Sequence, residues 1–195
     1  MPIALAHLVS RIRSLPAIAC LSLTVFAPAP ELAAVSQPSQ SEVEAVYLFD
    51  FGKFIRWPAG AVQGPMRICV AGAPTLSGGL EKVIAGESIG GRPLEVRRVA
   101  HAAEETGCAI LFIDSTERSH ADELLHAVAD QPTLTVSDLP DFFARGGMVQ
   151  FQLVEKRVRF SVNLDAVNRG HLIMSSELLK VAMAVKGRAQ EGGVE

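Results

Sequence analysis

From Glu42 to Trp57 the apolar residues Val43, Val46, Tyr47, Phe51, Phe54 and Ile55 recur at the three- and four-residue spacing of a helix. Pro58 predicts its end, because the residue before a proline is pushed out of the helical region. The spacing places Tyr47, Phe51, Phe54 and Ile55 on the buried side and leaves Phe49, Lys53 and Arg56 away from it. The pattern then changes to short apolar runs at 67–72, 94–99, 109–114 and 133–136, each bounded by Gly, Pro or charged residues and read as strands. Helical spacing between and after them predicts helices at 78–85, 119–129 and 138–144. The run AILFI is the most continuously apolar, so it is expected to be central and buried on both faces. Met148–Leu153 and Arg157–Val162 flank Glu155-Lys156 and read as a β-hairpin. Helices are expected near 163–169 and 175–186, the second capped by Ser175 or Ser176. Strands alternating with helices predict a single-domain α/β layered fold. Its sheet is mostly parallel with an antiparallel C-terminal hairpin, and helices lie on both faces.

The opening of the chain reads differently. Arg11 and Arg13 precede an apolar run from Leu15 to Ala29, and Leu32-Ala33-Ala34 supplies small residues for cleavage. That is the layout of a cleaved secretory signal peptide over residues 1–34, and it predicts export. Residues 35–41 are expected to be a disordered leader, 42–188 the folded domain and 189–195 a flexible tail. About 160 residues then remain, enough for one core. Losing the leader takes the charged residues from 18 basic and 21 acidic to 16 and 20. A mildly acidic chain without clustered Lys and Arg argues against nucleic acid as a partner.

Cys69 and Cys108 both lie in predicted strands. In an exported chain an even pair is most simply a disulfide, with two buried free thiols as the alternative.

Sequence motifs for chemistry are weak. Asp50-Phe51-Gly52 matches the magnesium-binding triplet of protein kinases but lacks every upstream kinase element. Gly86-Glu87-Ser88-Ile89-Gly90 has the letters of a nucleophile elbow, yet a helix precedes it and a strand follows, the reverse of the required order. His101, His120, His126 and His171 are dispersed and there is no Cys-x-x-Cys, so no metal and no cofactor is expected. Asn163, Asn168, Arg169 and His171 gather before the Ser175-Ser176 helix start. They suit either a small anionic group or plain capping and loop closure.

YLFDFGKFIRWP (residues 47–58) resembles the opening of YfiR/HmsC-like small periplasmic proteins, with their Y-L-x-x-F-x-x-F-x-x-W-P pattern. The resemblance continues through GRPLEVRRV, CAILFID, LTVSDLPDFFARGGMVQF and VRFSVNLDAVNRGHLIMSSELLKVA, and so spans roughly residues 42 to 186. It implies a non-enzymatic periplasmic regulator that forms homodimers. Such a protein represses a membrane-bound diguanylate cyclase by binding its periplasmic sensor domain, which lowers cyclic-di-GMP and biofilm formation. It also implies that Cys69 and Cys108 form the bridge between central strands, while the second cysteine pair of some members is missing. Arg169 and His171 resemble a region proposed for small ligands. Phe49, Phe142, Phe143 and Phe151 are the candidate partner-binding residues, and a periplasmic small-molecule sensor is the alternative function.

Overall fold

The computed structural model describes residues 37–100 and 107–188. Helix α1 (Gln40–Phe54) opens with a capping box: the Ser39 hydroxyl accepts from the Glu42 amide, and the Glu42 carboxylate accepts from the Ser39 amide at 2.7 Å. It starts two residues before the predicted Glu42, because this reciprocal cap satisfies amides that a helix start otherwise leaves bare. It also stops earlier than predicted. Ile55–Arg56 turn extended as strand β1, which pairs with β9 (Ile173–Met174).

Beyond it the chain runs β2 (Met66–Ala71), α2 (Pro74–Val83), β3 (Ser88–Ile89), β4 (Arg92–Val99) and β5 (Cys108–Ile113). Then come α3 (Ala121–Ala127), β6 (Leu134–Ser137), β7 (Val149–Val154), β8 (Arg157–Asn163) and α4 (Leu164–Arg169), followed after β9 by α5 (Ser176–Val181) and β10 (Ala184–Lys186). Among the described residues the main sheet has eight strands in the order β10-β8-β7-β6-β5-β2-β4-β3. Strands β4, β2, β5, β6 and β7 are parallel, and β8 returns antiparallel to β7 as the expected hairpin. All six residues of β5 are buried, as its unbroken apolar run predicts.

The core has two parts, one on each face of the sheet. Ile68, Val70, Ile110, Phe112, Val136 and Phe151 pack on the face that carries α1 and α2. Cys69, Leu111 and Ile113 pack on the other face against Ala121 and Leu124 of α3 and against Leu139 and Phe142. The fold is thus α/β with a mostly parallel sheet and helices on both faces, as the alternation indicates.

Three expectations fail. Of the residues expected on the buried side of α1, Phe51 and Ile55 are buried and Tyr47 packs against the core, but Phe54 is 37% exposed, and Glu44, Ala45, Leu48 and Gly52 complete the buried stripe. The stripe is rotated because α1 packs on α2 as well as on the sheet. The predicted helix at 138–144 is a series of tight turns. Pro140 lacks an amide to donate, and Gly146 ends the segment at φ 93. The predicted helix at 175–186 ends at Val181, and the chain continues extended to form β10 alongside β8. A sheet edge with unpaired backbone groups outweighs local helical spacing there.

Candidate functional site

Cys69 and Cys108 are joined, with their Cα atoms 5.8 Å apart and both side chains buried. They sit on neighbouring parallel strands, where the pairing of β2 with β5 shifts register between Arg67 and Ile68. The bridge ties the neighbouring strands β2 and β5 on the α3 face, and among the described residues no free thiol remains.

The C-terminal polar cluster separates into different jobs. Asn163 caps α4, accepting from the Ala166 amide at 3.4 Å, and donates to the Gly147 carbonyl at 3.3 Å. Ser175 caps α5 by accepting from the Leu178 amide at 3.2 Å. Asn168 donates to the Arg188 carbonyl at 3.0 Å. Arg169 ends α4 and faces a cleft of about 350 Å³ between α3, α4 and the 140–147 turns, whose other polar walls include Asp122, His126, Thr135 and Arg145. His171 is exposed at φ 57 and does not line that cleft, so the two residues read together from sequence do not share it. Arg145 is held by Asp122 at 2.8 Å and Asp141 at 3.0 Å, and its hydrogen bond keeps the Asp141 carboxyl below its usual range. Arg169 is in no ion pair among the described residues.

The aromatic residues expected at a partner surface divide. Phe142 is fully buried and Phe151 is 2% exposed. Phe151 stacks with Phe51 at 5.9 Å and meets Tyr47 at 5.8 Å. Both therefore belong to the core and offer nothing to a partner in this fold, which corrects that expectation. For Phe151 the reason is strand alternation, which turns it toward α1 and its neighbours to the opposite side, whereas Phe142 lies in the turns packed on the α3 face. Phe49 and Phe143 are half-buried, and Lys53 Nζ lies 3.9 Å from the Phe49 ring centroid. Trp57 is half-buried and donates through Nε1 to the Ala109 carbonyl at 3.3 Å.

Other large apolar side chains are more exposed: Leu153 of the hairpin at 59%, and Val181, Met183 and Val185, which were not read as surface, at 64%, 46% and 41%. Leu153 belongs to the hairpin whose apolar residues the sequence marks as candidates for a contact surface. The other three were not legible, because they lie in the segment read as helix.

Glu44 was also missed. It is 4% exposed beneath α1, with Gln40 Nε2 donating to its Oε1 at 2.8 Å. Burial pushes its carboxyl up to about 7 despite that bond, and the negative charges of Asp138 and Asp114 add to the rise. Asp138 is raised as well, chiefly by burial, and among the described residues its buried Oδ1 has no hydrogen-bond partner. Both aspartates follow the carboxyl ends of parallel strands, β5 and β6. Each motif that resembled a catalytic element has a structural place. Asp50 pairs with Lys53 at 2.9 Å, and Ser88 sits in the short β3–β4 hairpin turned by Gly90 (φ 58) and Gly91 (φ 74). His120 contacts Glu117 at 3.0 Å, and His101 lies outside the described residues. Among the described residues no group of three or more His, Cys, Asp or Glu is arranged to hold a metal ion.

A family model described as YfiR/HmsC-like matches residues 41–183. Among solved structures, the chain is similar to a conserved domain protein from Vibrio cholerae O1 biovar eltor, at 13% identity and a TM-score of 0.53. That match covers 77% of this chain but 62% of the other, and at such identity it speaks for the fold alone.

Proposed function

The chain belongs to the YfiR/HmsC-like family, and on that premise we propose that it is a periplasmic regulator that represses an inner-membrane diguanylate cyclase. It binds the cyclase's periplasmic sensor domain, holds the enzyme in its inactive state and so lowers cyclic-di-GMP and biofilm formation. The observation that carries this reading is the extent of the family match, which runs from the first turn of α1 to the residue before β10. The bridge between Cys69 and Cys108 fits an oxidising compartment. Among the described residues no helix is long and apolar enough to cross a membrane. Repression of this kind requires only that the regulator bind one of the partner's two states more tightly. Of the four aromatic candidates, Phe49 and Phe143 keep exposed area for that contact, and the working form is a homodimer.

The test is a deletion strain. Loss of the chain raises cyclic-di-GMP and biofilm mass, and tagged protein co-purifies a cyclase with a periplasmic domain. Unchanged cyclic-di-GMP, with no cyclase recovered, would sink the reading. The cleft beside Arg169 supports a second one, a periplasmic sensor of a small anionic molecule. Its sign is a ligand-induced rise in melting temperature that Arg169→Ala removes.

A further inference from the structure

The start of β8 gathers unpaired basic charge on a chain whose net charge is −3. Arg157 and Arg159 are exposed on β8 next to Lys156 of the turn, and among the described residues none of the three is in an ion pair. By contrast Arg67, Arg98, Arg118 and Arg145 each face a carboxylate. Strand β10 pairs with β8 only from Ser161 to Asn163, so the outer edge of residues 157–159 carries no strand among the described residues. Between this edge and the first turns of α1 runs a groove of about 340 Å³. Val43, Tyr47, Leu153 and Val158 form its apolar lining, and among the described residues no carboxylate lines it. Leu153 and Val154 at the end of β7 are 59% and 39% exposed.

Open edges are normally protected by shortness, by proline, by charged side chains or by a covering element, so the basic residues here also guard the edge against pairing with a like strand; exposed apolar area beside an edge marks a contact surface. Here cations without partners, a free strand edge and an apolar groove coincide. We propose that this groove docks an acidic segment of the protein partner, laid extended along Arg157–Arg159. A large apolar side chain of the segment rests against Tyr47 and Leu153, and its carboxylates pair with Lys156, Arg157 and Arg159. The proposal deepens the repressor reading by naming the chemistry of the docked segment, and it rests on that reading only for the partner's identity.

The test titrates the purified chain with a labelled glutamate-rich peptide carrying one tryptophan, with its lysine-rich counterpart, and with phosphatidylglycerol vesicles. The acidic peptide alone binds, added salt weakens it, and the double variant R157E/R159E weakens it about tenfold or more. Leu153→Ser weakens it as well. These side chains are exposed, so each variant keeps the wild-type urea midpoint. Equal binding by the double variant or by the lysine peptide overturns the proposal, as does capture by vesicles in place of the acidic peptide. In cells the double variant raises cyclic-di-GMP as the deletion does. A variant that still represses where the deletion does not overturns the assignment of the groove to the regulated partner. Should the deletion itself have no effect, the repressor reading falls while the peptide titration still decides the groove.

Discussion

Glu44 is a carboxylate in a place the chain could have filled with an apolar residue, and its titration makes that choice measurable. Its folded value of about 7 lies above the ordinary 4.5, so the folded protein holds this proton more tightly than the unfolded chain does. The group's contribution to stability is therefore fully present below pH 4.5 and is lost as pH rises through about 7. Urea midpoints of the wild type should fall across that window, while Glu44→Gln should show a flatter profile and a higher midpoint at pH 8. A wild-type profile unaltered by the substitution would refute the account. Gly147 poses a packing question instead. A methyl group there would overlap the ring of Phe142, which is fully buried and has nowhere to move. Gly147→Ala should cost about 1–3 kcal/mol by overpacking. Much of the loss should return when Phe142→Leu is added, which a double-mutant cycle would detect. Neither residue announced its role in the sequence. Glu44 stands between Val43 and Ala45 and reads as a solvent-facing charge of an amphipathic helix, and a glycine's near contacts lie wherever the fold brings a ring.

The capping box makes α1 the most directly testable element. Ser39→Ala removes the acceptor of the Glu42 amide and should destabilise the protein by about 1 kcal/mol, with faster amide exchange confined to the first turn. Exchange that rose equally throughout α1 would show that the cap acts on the whole helix. Strand identity was readable from the chain: the four runs predicted after Pro58 all appear, each within about two residues at its ends. So was the hairpin, because Glu155-Lys156 joins two alternating runs of matched length. The extent of α1 and the existence of β10 were not readable. Residues 55–56 and 184–186 take extended form because β9 and β8 offer them partners more than a hundred and more than twenty residues distant. Local periodicity carries no record of such pairings.

For the molecule as a whole, the Cys69–Cys108 bridge closes a loop of 39 residues between adjacent central strands. In the chain-entropy account such a closure stabilises by about 4 kcal/mol. Replacing both cysteines by alanine should lower the urea midpoint accordingly. The intact protein should resist mild reductant, because both sulfurs are buried in the core on the α3 face. Rapid reduction under native conditions would mean that the sheet opens locally around β2 and β5. By itself the sequence determined the α/β class, the central place of β5, the hairpin and the family signature. Each depends on spacing along a short stretch or on turn chemistry, which neighbouring residues settle among themselves. Tertiary structure alone decided that the α1 stripe turns toward Glu44 and Leu48, that Phe142 and Phe151 are core, and that Arg169 and His171 part company. It alone brought Tyr47 of α1 beside the basic edge of β8. These outcomes depend on which distant surfaces meet, and the free energy of burying them is shared between segments that no local pattern connects.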